Sequence, residues 1–286
     1  MSGRPDRRRN VAEAIFADEI GLQFGVYGEF RLWSAYQPIF APQGRSLKAV
    51  AVEALIEPRR VARPMAPQVF FDNIPASDRL FVETMCRMLH LANFHNIGVD
   101  GLTLFLNYNP MINDHLGRAL AEIRLMTRHL GDFGLDPAML VCEITEQAAD
   151  NRVLVSLVRE MKRNGMRIAI DDFGTGHSTE ERLSLLAPDI VKIDGAWFAE
   201  FCRHAAAERF FRPLVSMLHD RGARVLVEGI EQSTHLRVAL DGGVDLLQGF
   251  YLARPALAGT IFNEEPLSID ALLGRDNKVV PLHQRR

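Results

Sequence analysis

Six short apolar runs in the chain each end on a polar side chain. They are Ala49-Val50-Ala51-Val52-Glu53, Leu104-Phe105-Leu106-Asn107, Leu140-Val141-Cys142-Glu143, Ile168-Ala169-Ile170-Asp171-Asp172, Ile190-Val191-Lys192 and Val225-Leu226-Val227-Glu228. Buried parallel strands read as unbroken apolar runs, because helices cover both faces of the sheet. A carboxylate directly after such a run is costly in a core, since an unpaired buried charge is strongly disfavoured. The repetition predicts strands that deliver polar groups to one rim. In a barrel of parallel strands that rim is the C-terminal face, where active sites sit.

Helical patterns separate the runs. They are expected over about 79–94, 112–131, 151–165, 178–186, 208–222 and 233–242. The 151–165 segment should stop at a glycine C-cap, and Pro213 is tolerable in its helix only within the first turn. Strands alternating with helices imply βαβ units and a parallel sheet. Adding runs at Tyr36–Phe40 and Leu246–Tyr251 gives eight strands, which suggests an α/β fold closed as a TIM-type (β/α)8 barrel. A barrel of about 250 residues fits the length of 286.

Residues 29–265 are assigned to the barrel, and a loop rich in Pro and Arg is expected directly after Glu53. Residues 1–28 read as a basic leader followed by a helix over Val11–Gly28, with Ile15, Phe16, Ile20 and Phe24 on one stripe. That stripe would dock on the parent domain or, alternatively, on a membrane surface or a protein partner. Residues 266–286 are set apart as a C-terminal tail, polar and basic from Arg275 onward.

A net charge of −3 argues against a general nucleic-acid binder, so no DNA partner is expected. No apolar stretch approaches the roughly 18 residues that span a bilayer, and no apolar signal core follows the four arginines of Met1–Asn10. Cys86, Cys142 and Cys202 are odd in number and lack a CxxC partner, which indicates reduced thiols in a cytoplasmic protein.

The strand-end groups Glu53, Asn107, Glu143, Asp171, Asp172, Lys192 and Glu228, with Gln248 on the last strand, hold five carboxylates and one lysine. Left bare in one cleft, that charge would force some acids to stay protonated. Two divalent cations would cancel it, and all-oxygen ligands suit Mg²⁺ or Mn²⁺ better than zinc. Adjacent carboxylates Asp171 and Asp172 would let one bridge two ions while the other binds one. Lys192 then has two readings. It either hydrogen-bonds a nucleophilic water or a phosphate oxygen, or acts as a Schiff-base nucleophile, which the surrounding acids oppose. Glu146 either holds the glycine-bearing turn that follows Asp172 or serves as a helix-start carboxylate. His177 in that turn reads as a loop residue rather than a ligand.

At these residues the chain resembles the EAL-domain family of cyclic di-GMP phosphodiesterases. The resemblance is carried by Tyr36-Gln37-Pro38-Ile39, Glu53-Ala54-Leu55, Asn107, Glu143-Ile144-Thr145-Glu146, Asp171-Asp172-Phe173-Gly174-Thr175-Gly176, Lys192-Ile193-Asp194, Glu228-Gly229-Ile230-Glu231 and Gln248-Gly249-Phe250. It implies a barrel whose first strand runs antiparallel to the rest, and Mg²⁺- or Mn²⁺-dependent hydrolysis of cyclic di-GMP to linear pGpG. It further implies Glu53, Asn107, Glu143, Asp171, Asp172 and Glu228 as ligands of two metal ions. Catalytic roles fall to Glu53, Asp171, Lys192 and Glu146, and contacts to the nucleotide to Gln37, Leu55, Asp194 and Gln248. Homodimers are common in the family.

Two departures stand out. Where the family usually has Arg and then an aromatic residue, this chain has Glu57 and Pro58. The glycine-bearing loop continues as His177-Ser178-Thr179-Glu180 instead of the usual aromatic, two serines and leucine. Arg59 or Arg60 would have to compensate for the missing cation. The expected activity is a phosphodiesterase. The alternative is a catalytically weak or inactive receptor for cyclic di-GMP, and a scaffold without nucleotide is the remaining reading. No cyclase motif, receiver or PAS domain accompanies the barrel, so regulation is expected from elsewhere.

Overall fold

The computed structural model describes residues 10–110, 116–144, 150–174, 180–204 and 207–274. The segment expected to be a helix is not one. After a single 3-10 turn at Val11–Ala14, capped by the Asn10 side chain, the chain forms strands β1 (Ile15–Ala17) and β2 (Gln23–Tyr27). Three glycines argue against continuous helix: Gly21 and Gly28 are left-handed at φ 86° and 57°, and a Cβ on Gly25 would lie 2.9 Å from Met85 Sδ. The Asp18 carboxylate accepts the Ile20 and Leu22 amides at 3.0 and 2.8 Å, which turns the chain back on itself. Phe16 and Phe24 then face each other across the hairpin, with ring centroids 6.0 Å apart. Two of the four residues that suggested a helical stripe, Phe16 and Phe24, are cross-strand partners instead, and Ile20 lies exposed in the turn between them.

Two long strands follow, β3 (Phe30–Gln43) and β4 (Ser46–Arg60). The loop expected directly after Glu53 is therefore absent. β4 runs on through Pro58, whose carbonyl accepts from Met65 N–H at 2.9 Å, and turns into β5 (Arg63–Pro64). The two turn residues, Val61 and Ala62, both have positive φ, at 46° and 65°. That is the geometry of a two-residue hairpin usually occupied by Asn-Gly, so the sequence carried no turn signal there.

The chain divides into two compact units. The first comprises residues 1–37, 52–168 and 255–262. After β5 it contains helices α1 (Pro67–Asp72) and α2 (Ala76–Asn93), strand β6 (Thr103–Tyr108), α3 (Leu116–Asp132), β7 (Leu140–Ile144) and α4 (Asn151–Arg163). Its core packs Leu32, Ile56, Phe70, Val82, Met85 and Leu89 between β3, β4 and the two helices α1 and α2. Asp150 caps α4 by accepting from Arg152 N–H, and the left-handed Gly165 ends it.

The second unit comprises residues 38–51, 169–254 and 263–286. Strand β8 (Arg167–Phe173) leads into α5 (Glu180–Leu186), β9 (Ile190–Ile193), α6 (Gly195–Cys202) and α7 (Ala207–Asp220). Then come β10 (Arg224–Val227), α8 (Ser233–Gly242) and β11 (Leu246–Leu247). Pro213 lies inside α7, beyond its first turn. It is exposed, as is Arg209 four residues before it, so solvent can satisfy the carbonyl that Pro213 leaves without an amide. β11 is shorter than expected, and just beyond it Gly249 passes so close to the Ile230 backbone that a Cβ there would clash with the Ile230 carbonyl oxygen.

β12 (Ala256–Leu257) pairs with β3, and β13 (Leu267–Ser268) pairs with β4 before helix α9 (Ile269–Gly274). Residues 267–274 are thus not a tail. Leu272 is buried, its carbonyl accepts from the Tyr251 hydroxyl at 2.6 Å, and Arg45 Nε reaches Asp270 at 2.9 Å. Residues 275–286 lie outside those described.

Within the sheet the strands follow the order β3-β11-β10-β9-β8-β7-β6-β4, and β3 also pairs with β4, so eight strands close a TIM-type barrel. β6 and β7 pair in parallel, as do β8 through β11, while β3 meets β11 antiparallel with Phe40 opposite Leu247. No helix among the described residues is long and apolar enough to cross a membrane.

Candidate active site

In the second unit the site is built around Lys192, whose side chain is 1% exposed. Apolar neighbours Val191 and Ile193 fix β9 in the sheet and leave the lysine at its C-terminal end. Its Nζ lies 2.7 Å from Glu228 Oε1 and 3.2 Å from Asp171 Oδ1. Two carboxylates satisfy what would otherwise be an uncompensated buried charge. The pairing favours a fixed cation over the free amine that Schiff-base chemistry needs.

The double aspartate is delivered by a β-bulge. Ile170 pairs with Val191 and Phe173 with Ile193, so Asp171 and Asp172 together oppose the single residue Lys192. Consecutive strand residues normally point to opposite faces; an extra residue in one strand re-aims a side chain. Asp172 accordingly adopts φ 58°, a left-handed conformation uncommon outside glycine, and its N–H donates to Asp171 Oδ1 at 3.1 Å. Its carboxyl is held above the ordinary carboxylate range, first by desolvation, then by the Asp171 and Asp194 charges, with Lys192 opposing. A cation placed here would relieve both repulsions.

The strand ends beyond Lys192 are held by backbone contacts. Asp194 N–H donates to Phe173 O at 3.2 Å, and its carboxylate caps α6 through Trp197 N–H at 2.7 Å. Asp194 is therefore first a helix cap. Gln248, 3% exposed, is pinned through its main chain: its N–H donates to Val227 O, and its carbonyl accepts from Ile230 N–H. Gly195 and Gly229 pass so closely that a Cβ on Gly195 would sit 2.8 Å from Gly229 Cα. Buried His235 holds the turn after Glu228, with Nδ1 3.3 Å from Gly229 O. Neither the glycine contact nor His235 carried a signal in the sequence, since both depend on residues distant along the chain.

In the first unit Glu53, Leu55 and Glu57 alternate along β4 with the buried Ala54, Ile56 and Pro58. Glu53 is 9% exposed and Gln37, on β3, 7%. Asn107 and Glu143 are direct register partners on β6 and β7; Glu143 is fully buried, whereas Asn107 is exposed. A cleft of about 480 Å³ opens where Leu55, Asn107 and Asn109 meet α1 and α2. Glu57 accepts a hydrogen bond from Arg59 Nε at 2.6 Å, and Arg60 pairs with Glu29 at 2.8 Å. Glu146 and His177 lie outside the described residues.

The six predicted metal ligands all offer oxygen donors: Glu53, Asn107 and Glu143 in the first unit, Asp171, Asp172 and Glu228 in the second. Carboxylates and one amide suit a hard divalent cation. Among the described residues no three His, Cys, Asp or Glu side chains are gathered as a metal-binding group. In the second unit the reason is visible, because Asp171 and Glu228 both turn to Lys192.

Residues 28–255 match the EAL domain. The biofilm architecture maintenance protein MbaA of Vibrio cholerae is 28% identical over 87% of this chain. The probable cyclic di-GMP phosphodiesterase PdeA of Escherichia coli is 32% identical over 63%. The chain spans only 30% and 24% of those two relatives. The structure of Klebsiella pneumoniae BlrP1 with manganese and cyclic di-GMP superposes with a TM-score of 0.68 at 26% identity, covering 79% of this chain and 56% of that one. The Bacillus subtilis YkuI protein, in complex with cyclic di-GMP and calcium, shares the fold at a TM-score of 0.69 and 24% identity, over 82% of this chain and 57% of its own. With the EAL domain covering most of its length, the chain belongs to the EAL family.

Proposed function

We propose that the chain is a cyclic di-GMP phosphodiesterase that hydrolyses its substrate to linear pGpG with two divalent cations, Mg²⁺ or Mn²⁺. One observation carries the reading: Lys192 is buried between Asp171 and Glu228 at the C-terminal ends of parallel strands, where barrel enzymes work. A buried ion triad is expensive to maintain for stability alone. The relatives that bind or are named for cyclic di-GMP support the substrate.

In this reading Glu53, Asn107, Glu143, Asp171, Asp172 and Glu228 would hold the cations. When bound, the ions would supply an acidified water and neutralise charge on the phosphodiester. Lys192 holds its ammonium toward the attacking water or a phosphate oxygen, and its two carboxylates keep it in place. Asp171 orients that lysine. Gln37, Leu55, Asp194 and Gln248 contact the nucleotide, and Glu146 steadies the loop after Asp172. The protein works in the cytoplasm as a homodimer.

Purified protein should convert cyclic di-GMP to pGpG only with Mg²⁺ or Mn²⁺ present, and Glu53→Ala should abolish the conversion. Binding without turnover would instead establish the receptor reading, which the replacement of the expected arginine by Glu57 favours. Absence of both binding and turnover would rule out both.

A further inference from the structure

A cyclic dinucleotide carries two phosphodiester charges, so a cleft that accepts it needs a cation beyond those at the reacting phosphate. Neither arginine next to Glu57 is available for that task. Arg59 is held by Glu57 at 2.6 Å, and Arg60 by Glu29 at 2.8 Å. The cleft that contains Leu55, Asn107 and Asn109 is also lined by Gln68, Arg79 and Glu83. Deeper in the same cleft, Arg87 is only 9% exposed and lies between Glu83 and Glu122 at 3.7 and 3.6 Å. Arg79 is different: it projects from the first turns of α2 and is exposed.

The acids next to Arg79 take hydrogen bonds from neutral donors. Asp78, next to it in the chain, accepts from the Tyr27 hydroxyl at 2.7 Å. Asp72 accepts from Gln68 at 2.7 Å. Glu83, one helical turn further along, is pushed up to about 7 by desolvation, with the charges of Arg87 and Arg79 opposing, so near neutrality it is only partly ionised.

From this arrangement we infer that Arg79 pairs with a phosphate of a nucleotide bound in this cleft, and so replaces from α2 the cation that β4 lacks at Glu57. The inference rests on the cyclic di-GMP reading above. It adds a substrate-binding residue on a different element and makes α2 part of the binding surface. An arginine suits the role, since its planar fork matches phosphate oxygens in a way an ammonium does not.

The test is titration calorimetry on the full chain with cyclic di-GMP and Ca²⁺, at two or more salt concentrations. Arg79→Gln should weaken binding about tenfold or more, the loss expected for one charge-assisted hydrogen bond. It should also flatten the salt dependence, a change that loss of packing would not produce. Arg79→Lys should restore the salt dependence but only part of the affinity. Circular dichroism on each variant checks that the fold is kept, which the exposure of Arg79 favours. If the wild type binds and Arg79→Gln matches it in affinity and salt dependence, the assignment is wrong while the functional reading stands. If the wild type binds no cyclic di-GMP, both fall.

Discussion

Two buried cations in this protein each lie between two carboxylates, and they differ in almost everything else. Lys192 stands at the end of a parallel strand, 1% exposed, in contact with Glu228 and Asp171 at 2.7 and 3.2 Å. Arg87 stands in the middle of α2, 9% exposed, with Glu83 and Glu122 at 3.7 and 3.6 Å and the Tyr108 ring 5.5 Å from its guanidinium carbon. The first triad is tight and sits beside a strained bulge that costs stability. The second is loose, joins α2 to α3 and also takes a hydrogen bond from Arg87 to Thr84. Charge burial alone therefore does not mark a site. What separates the two is backbone position: a strand end at a barrel mouth in one case, a helix–helix seam in the other.

Removing the lysine is the most forceful way to test that difference. Lys192→Met should leave two carboxylates facing each other without a counter-charge, at about 3–5 kcal/mol of stability, and should abolish turnover. Manganese should recover part of the lost melting temperature if the same carboxylates bind the ion. An unaltered melting temperature, with or without manganese, would mean that Lys192 is not the counter-charge that Asp171 and Glu228 depend on.

The helix seam should respond to pH. Glu83 is raised from its ordinary 4.5 to about 7, chiefly by desolvation, so between those values the folded protein binds more protons than the unfolded chain. Stability from this group is fully present below pH about 4.5 and is lost as pH rises through about 7, a swing of up to about 3 kcal/mol. His90, pushed down to about 3 by burial and by Arg87, works the other way: its contribution declines as pH falls below about 6.5. Between pH about 5 and 6.5 the two slopes oppose each other and the wild type should be nearly flat, whereas Glu83→Gln should gain stability as pH rises, following His90. Denaturant titrations across that range check it; a wild-type-like flat profile in the variant would exonerate Glu83.

The smallest expected effect is at the bulge. Asp172→Gly relieves a left-handed aspartate and should leave the fold about 1 kcal/mol more stable or unchanged, while turnover collapses. Lower stability together with retained turnover would make Asp172 a structural residue.

The barrel's inner strands were readable because a parallel strand covered on both faces must be apolar throughout, so its end is marked by the first polar residue. That rule located Asn107, Glu143, Asp171, Lys192 and Glu228. It failed where the same residues serve two periodicities. Phe16 and Phe24 read as a helical face, yet in the fold they are cross-strand neighbours. It failed again at Arg59 to Pro64, where a hairpin turns on Val61 and Ala62 without any of the residues such turns favour. Leu267 to Gly274 looked like tail because two strand residues and six helical ones are too few to show a period.

By itself the sequence determined the alternation of strand and helix, the identity of the oxygen donors and the replacement of an expected cation by Glu57. Those follow from local pattern, which each short segment carries within itself. Only the tertiary structure decided that Asp171 and Asp172 share a bulge opposite Lys192, that Glu57 is taken up by Arg59, and that Arg79 enters the same cleft as Leu55 and Asn107. Each of those depends on register or on packing between separate elements, and a one-residue shift in either would change it while the pattern stayed the same.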